Sequence, residues 1–360
     1  MDANQTPKVP QKKNRRDSAT KQIKHYIRSR QLKPGELLPP VRTLSEYFGY
    51  SRDATWRALK NLREENWIRA KANRRYVVAE EVYTQILRSI KIHAIFCGEN
   101  YIQFTGFRRL ADQLKAKSTY HNFHLNISLN PHKSSIPNSI WENSDVLLVD
   151  SESSRKLLEK FNKFPIPVIG LDADYSDRYY ANIVTDHHLG GRIAAERLIK
   201  KGAKQAQICF FGGSEDNPRV KPRIAGFREA WLEAGLSEKD LNFIKNQWCE
   251  NHFEIALKLH KQLIKTPIDH SLFVTDGRLA ATYLQVLDYL KYEIPAKIKF
   301  VGYDALQIGS TTNPPMTTIQ QDMEQIAETA IKLIADYPET REKQHRVIRI
   351  APSLIARKSD

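Results

Sequence analysis

Hydrophobic residues near the start of the chain recur at helical spacing. Leu44, Tyr47 and Phe48 lie three and four positions apart and predict a short helix with one apolar face. Gly49 favours the C-terminal end of that helix, where φ is often positive, and Ser51 is a good N-cap for a second helix. The pattern therefore predicts two helices joined by a tight turn.

The second helix carries apolar and charged residues on opposite faces. The inward positions are Thr55, Ala58, Leu59 and Leu62. Asp53, Arg57 and Lys60 are expected to point outward, with Arg52 near the exposed N-terminus. Two interpretations fit: a helix-turn-helix whose second helix enters a DNA major groove, or a helical hairpin with a solvated basic face.

The neighbouring segments favour the first interpretation. A further helix is expected over about residues 18–30. Residues 66–80 alternate in polarity and end in a β-branched run, which predicts a two-stranded hairpin with its tip near Asn73 and Arg74. Three helices followed by a basic hairpin make a winged helix.

From about Lys91 the pattern changes to alternating strands and helices. The candidate strands are residues 92–97, 124–129, 145–149, 167–171, 207–211, 271–275 and 299–303. Each is a nearly continuous apolar run, as expected for parallel strands covered on both faces. We therefore predict a doubly wound α/β fold, and the length of about 270 residues favours two lobes.

Charge is concentrated in the first part of the chain. Residues 1–80 contain 19 Lys/Arg against 8 Asp/Glu, a net charge of +11, which leaves +4 of the total of +15 for the other residues. This asymmetry predicts an anion-binding module attached to a more neutral one. Nucleic acid is the expected polyanion, because no amphipathic membrane helix accompanies the charge.

Targeting and cysteine patterns favour a cytoplasmic protein. Residues 1–16 contain no apolar signal-peptide region, and no apolar stretch approaches the length of a transmembrane helix. The three cysteines, Cys97, Cys209 and Cys249, are far apart and predict reduced thiols, without a disulfide or a metal site.

The stretch LLPPVRTLSEYFGYSRDATWRALKNLREENWI, residues 37–68, resembles the winged helix of GntR-family transcription regulators. The matching positions are Leu38, Pro39, Arg42, Leu44, Gly49, Ser51, Arg52, Leu59, Leu62 and Ile68. The sequence departs from the family where Ala54 and Trp56 replace the usual Thr and Arg. In the wing, Asn73-Arg74-Arg75 replaces Gly-Arg-Gly.

The resemblance implies DNA binding, with Arg42 and Arg52 in contact with DNA and the hairpin tip in the minor groove. The expected DNA-binding residues are Arg42, Ser51, Arg52, Asp53, Arg57, Asn73, Arg74 and Arg75. We expect Arg52 to specify a base and Arg74 and Arg75 to contact phosphates. For Arg74, recognition of an A·T-rich minor groove is the alternative.

The larger part resembles the effector domain of LacI/GalR regulators, which is shaped like a periplasmic sugar-binding protein. Three stretches carry the resemblance: residues 182–213, 222–236 and 271–322. Arabinose-repressor-like proteins combine a GntR-type DNA-binding domain with a LacI-type effector domain in this way. This arrangement implies two lobes joined by three crossovers, a ligand in the cleft, and a homodimer bound to a pseudo-palindromic operator.

These comparisons define the expected domain boundaries. They are residues 1–16 for a disordered basic tail, 17–80 for the winged helix, 81–91 for a linker, and 92–360 for the effector-binding domain. Lobe 1 is expected at about residues 92–201 and 318–340, and lobe 2 at about residues 202–317 and 341–360.

The resemblance also implies a set of ligand-binding residues. Arg223 matches a cleft arginine, whose guanidinium can bind adjacent hydroxyls or a carboxylate. Asp276 and Asp304 follow apolar strands at the carboxyl ends where α/β sheets bind ligands, although Asp304 as a loop cap is the alternative. Gly277 replaces the family's Asp.

Three aromatic residues complete the set of ligand candidates. Trp248 matches a position that stacks on a sugar face, with a core role as the alternative. Tyr101 and Phe104 lie in a loop that lacks the family's Asn-Pro. By contrast, Asp186 is expected to cap a helix, and the pair His187-His188 is expected to belong to a solvated helix start.

Enzyme motifs are missing from the sequence, which has no GxSxG, no P-loop lysine motif and no metal-ligand cluster. No catalytic residue, metal or cofactor is therefore predicted. We expect a ligand-responsive DNA-binding regulator, a repressor of a carbohydrate-utilisation operon with a sugar as effector. The alternatives are an α/β enzyme acting on a small carbohydrate and a DNA-binding protein with a vestigial cleft.

Overall fold

The computed structural model divides into two compact units, Met1–Ser89 and Ile90–Asp360. The residues that it describes are 19–24, 26–27, 30, 32–71, 75–80, 90–97, 106–121, 123–130, 138–150, 166–172, 180–211, 216–246, 252–265, 267–268, 270–304, 307–340 and 346–360. The expected tail at residues 1–16, most of the expected linker, and the hairpin tip lie outside these ranges.

The smaller unit contains the predicted helices and hairpin. Its elements are a helical segment at residues 19–24 and 26–27 (α1), Val41–Phe48 (α2), Arg52–Glu64 (α3), Ile68–Lys71 (β1) and Arg75–Val78 (β2). Strands β1 and β2 pair in antiparallel fashion, with Lys71 opposite Arg75. Gly49 ends α2 with φ of 69°, and the Ser51 hydroxyl accepts a hydrogen bond from the Ala54 amide at 3.2 Å.

The core of this unit is formed by the faces that the sequence pattern predicted. Its buried apolar residues include Ile23, Ile27, Leu44, Leu59, Leu62 and Ile68. Tyr47 differs from the prediction, because its side chain is 62% exposed. Its ring makes edge contacts with Tyr26 and Phe48, at centroid distances of 5.8 and 4.9 Å, so it lies at the margin of the core.

The larger unit consists of two parallel sheets with helices around them. Its strands are Lys91–Cys97 (β3), His124–Asn130 (β4), Val146–Asp150 (β5), Val168–Leu171 (β6), Ala181–Thr185 (β7), Ala206–Phe211 (β8), Leu241–Asn246 (β9), Ser271–Val274 (β10), Phe300–Tyr303 (β11), Thr317–Gln320 (β12), Arg346–Ile350 (β13) and Ser353–Ile355 (β14). Its helices are Gly106–Tyr120 (α4), Asn138–Glu142 (α5), His187–Lys200 (α6), Val220–Glu233 (α7), His252–Lys265 (α8), Gly277–Tyr289 (α9) and Met323–Thr340 (α10), with short 3-10 helices at Glu238–Asp240 and Ile308–Ser310.

In the part of the chain that the structure describes, each sheet has six strands, and both follow the doubly wound pattern. The first sheet has the order β13-β7-β6-β5-β3-β4, and the second has the order β14-β12-β11-β10-β8-β9. All neighbouring strands are parallel except β14, which pairs with β12 in antiparallel fashion. The seven strands predicted from apolar runs are all present, so the α/β assignment is confirmed.

The chain passes between the two sheets three times. The crossovers lie between Thr185 and His187, between Gln320 and Met323, and between Ile350 and Ser353. Because strands end at these crossovers, side chains from distant parts of the sequence meet at the junction of the lobes.

All three expected lobe boundaries differ from the structure. The one at residues 317/318 cuts through β12, which pairs along its length in the second sheet. Helix α6, which we had assigned to lobe 1, packs Ala194, Ala195 and Leu198 into the core of the second sheet. Strand β13, which we had assigned to lobe 2, pairs with β7 in the first sheet. Among the described residues, lobe 1 therefore contains those within 91–185 and 323–350, and lobe 2 those within 187–320 and 353–360.

Helices α6 and α7 approach each other closely at two glycines. A Cβ atom on Gly191 would lie 2.0 Å from the carbonyl oxygen of Arg223, and one on Gly226 would lie 1.9 Å from that of His188. Real Cβ atoms do not approach a carbonyl oxygen so closely. Glycine at both positions therefore allows α6 and α7 to hold His187 and Arg223 side by side.

Cys209 is a free and fully buried thiol.

Within the described ranges, no helix has the length and apolarity that a membrane span would need.

Candidate functional site

The first candidate site is the outer face of α3. Arg52, Asp53 and Arg57 are exposed, and Ser51 fixes the start of the helix as its N-cap. Neither Arg52 nor Arg57 forms an ion pair with another residue of the described chain, so both guanidinium groups are available to a ligand.

Other expected DNA-binding residues lie around this helix. Arg42 on α2 is exposed, and its Nε lies 2.9 Å from Glu46 Oε1. Arg75 is exposed at the start of β2. Asn73 and Arg74, at the hairpin tip, are outside the described residues. Arginines from α2, α3 and the hairpin of the smaller unit are therefore exposed to solvent.

The second candidate site lies at the junction of the two lobes and is organised by Arg223. The side chain is 6% exposed, and its Nη1 donates a hydrogen bond to the carbonyl oxygen of Thr275 at 2.6 Å. Its Nη2 lies 3.3 Å from Asp304 Oδ2. The guanidinium stacks on the ring of Tyr303, 3.6 Å from the ring centroid. These contacts fix a buried cation in a single orientation.

His187 connects Arg223 to a second carboxylate. The Nε and Nη2 atoms of Arg223 donate to His187 Nδ1 at 3.3 and 3.2 Å, and Tyr303 Oη lies 3.1 Å from the same nitrogen. Because a guanidinium only donates, Nδ1 must be unprotonated, and the ring proton is on Nε2. That nitrogen lies 3.2 Å from Asp172 Oδ1. The result is a chain of contacts from Arg223 through neutral His187 to Asp172.

Asp172 lies on the wall of a cavity between the lobes. It directly follows β6, has φ of 57°, and its side chain is fully buried. The cavity has a volume of about 430 Å³, and its lining includes Asp172, Thr185, His187, Pro222 and Arg349. Neither carboxylate oxygen of Asp172, nor Nε2 of His187, forms a well-aligned hydrogen bond with another described residue. Buried polar atoms of this kind favour a polar ligand as their partner.

Asp304 links the cluster to the crossovers. Its carboxylate accepts a hydrogen bond from Gln321 Nε2, and Gln321 Oε1 in turn accepts one from Thr185 Oγ1 at 2.5 Å. Thr185 ends β7 and Gln321 follows β12, so each lies at a crossover between the lobes. A continuous chain of hydrogen bonds therefore runs from the cleft to two of the three crossovers.

Asp276 lies at the start of α9, where it acts as an N-cap. Its Oδ1 accepts hydrogen bonds from the amides of Arg278 and Leu279 at 2.9 and 3.1 Å. The side chain is 36% exposed. Gly277 packs against Asp304, since a Cβ atom there would lie 2.7 Å from the Asp304 carbonyl oxygen. Steric exclusion thus accounts for glycine where the family pattern has Asp.

Burial and neighbouring charge shift the pKa values of the cluster. Burial, together with the positive charge of Arg223, lowers the pKa of His187 to about 4, against the opposing effect of Asp172. Burial raises the pKa of Asp304 to about 6, although Arg223 opposes the rise. Burial alone would also raise the pKa of Asp172, but His187, Arg219 and Arg223 outweigh it and lower that pKa. At neutral pH the cluster therefore contains a neutral imidazole and two carboxylates.

Two members of this cluster were not predicted from the sequence. His187 was expected at a solvated helix start, and this was wrong: His187 is 5% exposed, whereas its neighbour His188 is 42% exposed. Asp172 was not considered, although it directly follows an apolar strand, as Asp276 and Asp304 do. The prediction that Asp186 caps α6 is confirmed, because its Oδ1 accepts from the Leu189 amide at 2.9 Å. The aromatic candidates Trp248, Tyr101 and Phe104 lie outside the described residues.

Comparisons with known proteins agree with both halves of this description. Residues 15–78 match the gntR family of bacterial regulatory proteins, and residues 195–359 match the periplasmic binding protein-like domain. The HTH-type transcriptional repressor PurR of Aliivibrio salmonicida is 26% identical over 220 residues, which cover 59% of this chain and 63% of that protein. The ribose operon repressor of Escherichia coli K12 is 26% identical over 216 residues, which cover 59% of this chain and 64% of that protein.

The chain thus spans less than two thirds of the length of either relative. Among solved structures, a LacI family transcriptional regulator from Enterococcus faecium with bound ribose superposes with a TM-score of 0.62. The two sequences are 20% identical, and the match covers 75% of this chain and 98% of that one. At this level of identity the similarity shows a common fold.

Proposed function

We propose that this chain, which joins a GntR-type DNA-binding domain to a periplasmic-binding-protein-like domain, is a ligand-responsive transcription regulator that acts in the cytoplasm. In this proposal it represses a carbohydrate-utilisation operon. The observation that carries the proposal is the buried Arg223–His187–Asp172 chain of contacts, which reaches the wall of the interlobe cavity at His187 and Asp172, in a protein that also has an exposed basic helix.

The chemistry of the cleft supports a polyhydroxylated effector. Asp172 supplies a carboxylate acceptor on the cavity wall. Arg223 and Asp304, which pair with each other at 3.3 Å, contact His187 and Gln321 next to it. A sugar hydroxyl both donates and accepts, so adjacent hydroxyls complement a site of this composition. The ribose bound to the E. faecium regulator and the name of the E. coli relative make pentoses the first effectors to test. Asp276, Trp248, Tyr101 and Phe104 remain proposed members of the same site.

The expected DNA partner is a pseudo-palindromic operator bound by a homodimer. Two symmetry-related α3 helices would enter major grooves one turn, or a multiple of a turn, apart. In each subunit Arg42, Ser51, Arg52, Asp53 and Arg57 would contact the major groove or nearby phosphates. Asn73, Arg74 and Arg75 would contact the minor groove or its phosphates.

The hydrogen bonds around Asp304 support a route by which the effector acts on DNA binding. A hydroxyl that binds Asp304 competes with Gln321 for that carboxylate, and Gln321 also holds Thr185 at another crossover. The effector would therefore favour one arrangement of the two lobes, and it can shift DNA affinity only by that preference. Typical coupling energies of about 1–3 kcal/mol correspond to a change in operator affinity of roughly 5- to 150-fold.

The test starts with in vitro selection of an operator from random duplex DNA by the full chain. The dissociation constant for this operator is then measured with and without D-ribose, D-xylose, L-arabinose and D-glucose at millimolar concentration. We expect at least one sugar to change it at least about fivefold, and the operator to change the affinity for that sugar by the same factor. Selection that enriches no sequence would refute DNA-binding regulation.

Two variants on helix α7 distinguish an effect on the cleft from a general effect on the protein. Arg223→Ala is expected to abolish the sugar response and to leave sugar-free operator binding nearly unchanged. Arg228→Ala is the matched control, because Arg228 lies on the same helix, is half exposed, and pairs with Glu238 at 2.7 Å. Operator binding that no sugar changes would support a vestigial cleft, and chemical conversion of the sugar would support an enzyme.

A further inference from the structure

A tryptophan occupies the middle of the exposed face of α3. Trp56 is 50% exposed, in a helix whose buried residues are Thr55, Ala58, Leu59 and Leu62. In the GntR pattern this position carries arginine. The proposed function assigns roles to the arginines of this face but leaves its single large apolar side chain without one.

The helix geometry places the indole between basic residues. At 3.6 residues per turn, Arg52, Trp56 and Lys60 form one strip along the helix. Arg52 forms no ion pair within the described chain, and Lys60 lies 3.9 Å from Glu64. The Ser51 N-cap fixes where α3 begins and therefore which residues lie on this strip. A polyanion that approaches the strip would bring its own surface against the indole.

The charge of this part of the chain favours DNA over an apolar protein partner. Residues 1–80 carry a net charge of +11. The indole is flanked by cations, whereas the core of a protein interface is depleted of charged residues. In the major groove of DNA the apolar group that marks a base pair is the C5-methyl group of thymine.

We propose that Trp56 is a specificity-determining residue that packs its indole against the C5-methyl group of a thymine in each operator half-site. This inference rests on the proposed DNA-binding function. Arginine at the same position would donate hydrogen bonds to guanine, so the exchange of Arg for Trp changes the preferred base from guanine to thymine. 5-Methylcytosine carries a methyl group at the same place in the groove, and uracil lacks it.

The test replaces single methyl groups in the operator selected by the full chain. Each thymine is exchanged in turn for deoxyuridine, which deletes one methyl group and keeps all Watson–Crick hydrogen bonds. With the unmodified protein we expect one thymine per half-site at which the exchange weakens binding about fourfold, the effect of exposing one buried methyl group. Trp56→Ala is expected to bind the thymine and deoxyuridine operators equally.

Two further measurements make the assignment specific. At the same position, 5-methylcytosine paired with guanine should bind more tightly than cytosine paired with guanine for the unmodified protein, and equally for Trp56→Ala. Tyr47→Ala is the matched control, because Tyr47 is also an exposed aromatic residue of this unit, at 62% exposure, but lies on α2. It should keep the full effect of deoxyuridine.

The outcomes distinguish this inference from the proposed function. Failure to select any operator refutes the function itself. If an operator is selected but no deoxyuridine exchange weakens binding, the contact between Trp56 and thymine is refuted. The same conclusion follows if Trp56→Ala keeps the sensitivity to deoxyuridine. Because Trp56 lies outside the core, the thermal unfolding of Trp56→Ala should match that of the unmodified protein, and a loss of folded protein in Trp56→Ala would count against an exposed, DNA-facing indole.

Discussion

Replacing His187 by glutamine should flatten the acid dependence of the protein's stability. The folded state holds His187 neutral down to a pKa of about 4, whereas the unfolded chain has the ordinary value of 6.5. Between these two values the unfolded state binds more protons than the folded state. The contribution of His187 to the free energy of unfolding is therefore complete above pH 6.5 and is lost as the pH falls toward 4.

The size of the effect follows from the two pKa values. Integration of the proton-binding difference predicts that His187 lowers the free energy of unfolding by roughly 2 kcal/mol between about pH 7.5 and pH 5. The side chain is 5% exposed, so solvent screens the effect little. Asp304 has the opposite sign, because burial raises its pKa from 3.8 to about 6, and stability falls as the pH rises through that range. That contribution is present in both proteins and cancels, to first order, when they are compared.

The assay is urea unfolding of the full chain across this pH range, followed through the transition of the larger unit. His187→Gln should lose about 2 kcal/mol less than the unmodified protein between the two pH values. His188→Gln is the matched control: His188 is the next residue, is 42% exposed, and lies 2.8 Å from Glu229. It should retain the acid dependence of the unmodified protein. If the free energy of unfolding depends on pH equally in His187→Gln and the unmodified protein, the neutral imidazole and the contact chain built on it are refuted.

Three further predictions concern other parts of the molecule. Arg52→Ala should weaken operator binding by about 1–3 kcal/mol and relax the preference at one base pair. Arg75→Ala should weaken binding to all sequences alike and reduce the salt dependence of binding. An equal loss of affinity for operator and random DNA in Arg52→Ala would contradict this. Gly226→Ala should destabilise the larger unit, because the added Cβ would lie 1.9 Å from the His188 carbonyl oxygen, and a thermal shift below about 2 °C would argue against the close approach of α6 and α7. Leu257→Lys should shift the proposed homodimer toward monomer in analytical ultracentrifugation, since Leu257 lies with Phe253 and Ile264 on an exposed apolar face of α8. An unchanged sedimentation coefficient would exclude that face from the interface.

Most interior strands could be predicted from the sequence, whereas most strands at sheet edges could not. The exceptions are the edge strand β4, which was predicted, and the interior strands β7 and β12, which were not. The seven predicted strands are apolar runs, because helices cover both sides of the central strands. Strands β13 and β14 lie at the edges and are partly exposed, so their sequences mix arginine or serine with apolar residues. Strand β12 is buried but rich in threonine. The hydroxyl of Thr317 is satisfied by Asp360 at 2.7 Å, a partner 43 residues away that local pattern cannot reveal.

In the candidate site, roles that depend on nearby residues could be predicted, and roles that depend on the fold could not. Capping residues such as Ser51 and Asp186 act within three positions of themselves, and their roles follow from the local sequence. His187 is buried because its contacts come from Asp172, Arg223 and Tyr303, on three other elements. Only the fold brings these groups together, so a local view assigned His187 to solvent.

The path of the chain through the two lobes of the larger unit limits how its parts can be exchanged by gene fusion. Each lobe is assembled from two separate stretches of sequence, and three crossovers connect them. A single genetic junction near residue 89 separates the DNA-binding unit from everything that follows. No single junction separates one lobe from the other, since any cut leaves a strand or helix of one lobe on the wrong fragment. A single gene fusion can therefore attach the larger unit to a different N-terminal domain. An exchange of one lobe would need three new junctions, one at each crossover. The larger unit can therefore be exchanged in one step only as a whole.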